Sequence, residues 1–192
     1  MMPASKSAIR REILSKRQGL TREERRLKSL RIAELLDAQP EYRDAGTVLF
    51  YVNFREEVAT RGMIESAIAK GKKVLVPKVD HKAHRLKLYE IHDLARDLTC
   101  GYMNIYEPVE AVTRPASAAE ADLVIMPGVG FNVDGRRLGY GGGYYDRLIE
   151  ALRPDARLVA LAFEVQMVDE IPCEEHDKKV HKIITEERVI TA

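Results

Sequence analysis

The chain has 192 residues, 45% hydrophobic and 32% charged, with a formal net charge of +1. That length suits one domain with a full core, and near-neutrality excludes a global field that would draw in nucleic acid or an anionic membrane. No apolar run approaches the ~20 residues of a membrane span, and Cys100 and Cys173, the only cysteines, stand outside any CxxC spacing, which excludes a thiolate zinc site.

The opening MMPASKSAIRREIL lacks the continuous apolar stretch of a secretory signal, so a cytoplasmic protein is expected. Residues 5–38 read as two helices. Ile9 and Ile13 fall at i, i+4 in the first. The second follows a Thr21 cap with Glu24 three residues on, and carries Ile32, Leu35 and Leu36. Short apolar runs then appear at 47–52, 73–79, 85–91, 121–129 and 157–163, with the length and β-branching of buried strands. Between them lie helical patterns at 60–71, ending on Gly71, and at 142–152. Strands alternating with helices predict an α/β fold: a single layered domain over residues 1–192, with a mostly parallel central sheet flanked by helices.

Seven of the twelve glycines fall between positions 128 and 143, and five of them belong to GRRLGYGGGYYDR, residues 135–147. Glycine at that density carries an entropic cost, so the backbone must need it. The order is strand, Gly/Pro turn, glycine cluster, helix start. In that context free amides converge on an anion, with no Cβ to hold it off. Arg136 and Arg137 can fork onto phosphate oxygens. Asp146 can hold Mg²⁺, or can simply be a carboxylate favoured at a helix start. Tyr140, Tyr144 and Tyr145 offer flat faces to a planar ligand. Neither GxxxxGK[ST] nor GxGxxG is present. A surface turn with glycine caps is the alternative reading.

FNVDGRRLGYGGGYYDR, after a strand ending in Pro, resembles the signature of the 5-formyltetrahydrofolate cyclo-ligase (methenyltetrahydrofolate synthetase) family. The likeness runs along nearly the whole chain, in the family's order: KSAIRREIL, VLFYVNFREEVATRGMI, GKKVLVPKV, NIYEP, ADLVIMPGVGF and IPCEEHDKKVHKIITEE. It implies an ATP- and Mg²⁺-dependent closure of 5-formyltetrahydrofolate to 5,10-methenyltetrahydrofolate. Small-molecule substrates are then the expected partners, and a monomer the expected state.

By the same resemblance Lys6 and Arg10, at i, i+4 on the first helix, would meet the ATP phosphates. On pattern alone they read as part of a solvated basic face, since the first 36 residues hold ten Lys/Arg against four Asp/Glu. Arg137 would neutralise charge on the transferred phosphoryl group. Leu138, Gly139, Tyr140, Gly141, Gly142 and Gly143 would wrap ATP and the formyl region, with Tyr144 and Tyr145 beside them. Val52 and Glu57 match positions that hold the pterin, Glu56 being the confusable neighbour. Asp146 would ligate Mg²⁺.

Two departures from the family's pattern are visible. Position 142, often lysine in animal members, is glycine, and Val180–His181 stands where some members carry an aspartate tied to Mg²⁺. Asp177 is the preferred substitute there, because imidazole is a poor Mg²⁺ ligand. His81, His84 and His176 read as loop or surface histidines. Two rival functions stay open: a paralogue that keeps nucleotide binding without turnover, and a non-catalytic folate- or nucleotide-binding regulator.

Overall fold

The computed structural model describes residues 5–101, 105–172 and 178–192. Its helices are α1 (Lys6–Gln18), α2 (Arg22–Asp37), α3 (Pro40–Asp44), α4 (Arg61–Ala69), α5 (Leu94–Asp97) and α6 (Tyr144–Glu150). The strands begin with β1 (Thr47–Leu49), β2 (Lys73–Asp80), β3 (Arg85–Ile91), β4 (Leu98–Cys100), β5 (Tyr106–Pro108) and β6 (Arg114–Ala116). They continue with β7 (Leu123–Met126), β8 (Gly130–Phe131), β9 (Arg137–Leu138), β10 (Arg157–Leu161), β11 (Lys182–Ile184) and β12 (Val189–Thr191).

Local chemistry sets the helix ends. Thr21 and Glu24 form the expected capping box: the Thr21 hydroxyl accepts from the Glu24 amide at 3.2 Å, and Glu24 Oε2 accepts from the Thr21 amide at 2.7 Å. α4 stops at Ala69, and Gly71 turns the chain at φ +77°, a conformation that disfavours any residue with a Cβ.

The main sheet has the order β12-β11-β10-β7-β1-β2-β3-β6. The five apolar runs singled out in the sequence form its middle, β10-β7-β1-β2-β3. Parallel pairing joins β11, β10, β7, β1 and β2, while β12, β3 and β6 add antiparallel edges. The strand period of two buries both faces. Val48, Val74, Ile125 and Val159 face α2 and α4, whereas Leu49, Leu75, Val124 and Ala160 face α6 and Phe131.

Strand order creates the crevice. From β1 the chain winds through α4 to β2 on one side; from β7 it winds through α6 to β10 on the other. The winding therefore reverses between β1 and β7. In doubly wound sheets ligands bind at such a reversal, outside the carboxyl ends of the strands. The loop after β1 carries Val52 and Glu57, and the loop after β7 carries the glycine cluster.

The expected strand at 47–52 is shorter than its apolar run. The ladder ends at Leu49, with one further bond from the Phe50 amide to the Leu75 carbonyl at 2.9 Å. Beyond it, side chains take over the backbone groups. Thr60 Oγ1 donates to the Tyr51 carbonyl at 2.7 Å and accepts from the Asn53 amide at 3.1 Å. This fixes the loop that places Glu57 above the strand ends.

Candidate active site

Lys6, Arg10, Arg137, Leu138, Gly139, Tyr140, Gly141, Gly142, Gly143, Tyr144, Tyr145 and Asp146 share one cleft of about 380 Å³. Position in the sequence would not have brought α1 there. Arg10 ties it in, its Nε donating to the Gly139 carbonyl at 2.9 Å.

The segment 135–146 is three structures in succession. Arg137 and Leu138 pair with Phe131 and Gly130 in the β8–β9 hairpin; residues 139–143 form the open loop; Tyr144 begins α6. Gly141 at φ +101° and Gly143 at φ +64° hold conformations that L side chains avoid. Among the described residues, no protein acceptor takes the amides of Gly141, Gly142, Gly143, Tyr144, Tyr145 or Asp146. Those donors can bind an anion.

Arg137 is nearly buried, and its Nη2 donates to Asp146 Oδ1 at 2.7 Å. Its Nε has no partner among the described residues. Asp146, a third exposed, presents its carboxylate to the cleft. A carboxylate oxygen is the hard donor that Mg²⁺ prefers, and one carboxylate plus substrate phosphates is its usual protein-side arrangement, so the donor set fits that ion. The Tyr144 ring stacks with His84, centroids 6.4 Å apart and planes at 25°. His84 is the exposed turn histidine that the sequence predicts, and its ring stacks on the rim of the site.

Glu57 lies in an adjoining recess with Arg17, Tyr51 and Gln166, and Pro127 lines both spaces. Glu57 Oε2 accepts from the Phe54 amide at 2.9 Å, and Oε1 accepts from the Tyr140 hydroxyl at 2.6 Å. Burial pushes the Glu57 carboxyl above the usual range, against the lowering effect of those bonds and of Arg17. Burial and the charge of Glu57 likewise raise the Tyr140 phenol.

Val52 is buried on the segment leaving β1 and does not line the glycine cleft. His181 sits at the start of β11, its Nδ1 accepting from the Leu158 amide at 2.9 Å. That end of the strands is opposite the one from which Pro127 and the glycine loop depart. Asp177, with His176, lies outside the described residues.

Two residues escaped the sequence reading. Arg17 is buried, continuing the Ile9–Ile13 stripe at i+4; a charge on an apolar stripe was the available signal. Gln166 donates to the Gly128 and Val129 carbonyls, at 3.0 Å each, and so anchors the turn after β7.

A doubly wound sheet with a polar cleft at its point of reversal is the architecture of a small-molecule α/β enzyme. The particular family follows from comparison. The sequence model of the 5-formyltetrahydrofolate cyclo-ligase family matches residues 2–186, and the chain belongs to that family.

Among its relatives, a probable 5-formyltetrahydrofolate cyclo-ligase of Schizosaccharomyces pombe is 32% identical over 176 residues, covering 84% of this chain and 85% of that one. The 5-formyltetrahydrofolate cyclo-ligase of Mus musculus is 29% identical over 193 residues, covering 96% and 95%. The NMR structure of Aquifex aeolicus 5,10-methenyltetrahydrofolate synthetase matches with a TM-score of 0.85 at 32% identity, over 97% of this chain and 92% of that one.

Proposed function

We propose that this chain converts 5-formyltetrahydrofolate and ATP to 5,10-methenyltetrahydrofolate, ADP and phosphate. The observation that carries the reading is the pairing of unclaimed amides at 141–146 with the Arg137–Asp146 ion pair, one recess away from Glu57.

The formyl group is amide-like, and its oxygen cannot leave as oxide. Attack of that oxygen on the γ-phosphorus forms an O–P bond, breaks the bond to ADP, and leaves an iminium phosphate. N10 then attacks the formyl carbon and loses its proton, and phosphate departs with the former formyl oxygen. No protein nucleophile is needed, so catalysis rests on positioning and charge neutralisation.

Lys6 and Arg10 on α1 would hold the nucleotide phosphates, and the amides of the glycine loop would cradle them. Arg137 would meet the charge that develops on the transferred group. Asp146 is the carboxylate that would hold Mg²⁺, and the ion would supply neutralisation of phosphate oxygens. Glu57 would accept from the pterin N–H groups, with Val52 behind them and Tyr144 and Tyr145 beside the ring.

The test is direct: purified protein with 5-formyltetrahydrofolate, ATP and Mg²⁺ should generate the near-ultraviolet absorbance of the methenyl product. Nucleotide and folate binding with no such absorbance would leave a non-catalytic binder.

A further inference from the structure

We propose that Arg17 recognises the substrate ring together with Glu57: Arg17 donates to the C4 carbonyl of the pterin while Glu57 accepts from the neighbouring N3–H and 2-amino group. The Tyr140 hydroxyl is the stand-in that the ring displaces. This rests on the folate reading above and adds a residue to it.

Arg17 is 2% exposed, yet its Nε and Nη1 have no partner among the described residues. Its one described hydrogen bond runs from Nη2 to the Tyr140 hydroxyl at 3.0 Å. Buried donors are rarely left unmet in native proteins, and a buried guanidinium is the most costly of them. The hydroxyl meets Nη2 alone, so a ligand acceptor in its place relieves the deficit only where it also takes Nη1, as a carbonyl with one lone pair toward each terminal nitrogen can.

The other polar side chains of the recess are already committed: the Tyr51 hydroxyl donates to the Val58 carbonyl at 3.2 Å. Gln166 Oε1 accepts from the Phe163 amide at 2.9 Å, and its Nε2 serves Gly128 and Val129. Arg17 therefore holds the unspent donors, and Glu57 faces them across a recess too tight for a water molecule.

The Tyr140 hydroxyl defines what shape of ligand fits. It accepts from Arg17 and donates to Glu57 in one bridge. A carbonyl next to an N–H presents that same acceptor–donor pair, and the pterin's amide edge is such a unit. Tyr140 is flanked by Gly139 and Gly141, so its loop can withdraw with little steric resistance.

The test compares binding of 5-formyltetrahydrofolate with binding of its 2,4-diamino analogue, in which an amino group replaces the C4 carbonyl and N3 no longer carries a hydrogen. Dissociation constants are measured by titration calorimetry without nucleotide. Wild-type protein should favour the 4-oxo compound by about 10- to 100-fold, the range of a hydrogen bond to a charged group. In Arg17→Met that preference should fall by about tenfold, to what the lost N3–H at Glu57 alone supports.

Tyr140→Phe, which removes only the stand-in hydroxyl, should bind the 4-oxo compound about three- to tenfold more tightly. It provides the decisive reading if Arg17→Met does not fold. Undiminished discrimination in a folded Arg17→Met, or weaker 4-oxo binding by Tyr140→Phe, overturns this inference alone. Failure of wild-type protein to bind 5-formyltetrahydrofolate overturns the folate reading and this inference together.

Discussion

The Tyr140 hydroxyl lies 2.6 Å from Glu57 Oε1, so the loop that follows β7 covers the carboxylate that follows β1. The two residues are 83 positions apart, and the reversal of winding between β1 and β7 is what brings them together. Any ligand that claims Glu57 must move the loop whose amides face the glycine cleft. On the proposed function, this bond would couple folate binding to nucleotide binding at Tyr140.

Glu57 should impose a pH dependence on folate binding. Its carboxyl is raised by burial, and only the ionised form accepts at both oxygens without presenting a proton of its own. As pH falls through that raised value, KM for the folate should climb, beginning above the 4.5 of an ordinary glutamate. Glu57→Gln should flatten the profile and weaken folate binding about 10- to 100-fold. The linkage has the opposite sign for stability. A raised carboxyl contributes stability that is present below its unfolded pKa and lost as pH rises through the folded one, so Glu57→Gln should raise Tm at neutral pH and not in acid. Retention of the wild-type profile by the Gln variant would contradict the assignment.

Arg137→Ala should lower kcat by about 100- to 1,000-fold, the usual cost of removing one preorganised charge-stabilising group. Circular dichroism should show the fold intact. Near-normal turnover would remove Arg137 from the chemistry.

Asp146→Ala leaves the nearly buried Arg137 guanidinium without its ion-pair partner. Urea unfolding in nucleotide- and magnesium-free buffer should register a loss of about 1–3 kcal/mol. The same variant should need more Mg²⁺ for half-maximal rate. Unchanged stability would mean that the pair has no structural role.

Gly143→Ala places a side chain at φ +64°, a strain of about 1–2 kcal/mol, and should weaken ATP binding by disturbing the loop. Gly62→Ala is the control. A Cβ there meets nothing within 4 Å inside α4, so about 0.4–1 kcal/mol of stabilisation is expected, with unaltered kinetics.

Features written in local sequence were legible. The Thr21–Glu24 capping box, the αL turn at Gly71 and the five central strands all depend on neighbours a few residues apart. Strand order was not legible, because similar β-branched runs do not say which will pair. β4, β5, β6, β8, β9, β11 and β12 have two or three residues each, too few to show a period. The glycine loop marked itself as a candidate anion site through composition alone. Arg17 did not, since a charged residue in a basic helix reads as solvated until packing puts it beside Ile13.

The central claim is that nucleotide phosphates rest on the amides after β7, with Arg137 at the terminal phosphate and the folate ring beyond Tyr140. A crystal structure with a non-hydrolysable ATP analogue, Mg²⁺ and 5-formyltetrahydrofolate tests it most directly. The account predicts phosphate oxygens within hydrogen-bond distance of Arg137 and of amides between 141 and 146, with Glu57 on the pterin. Phosphates bound elsewhere while those amides stay unclaimed would contradict it.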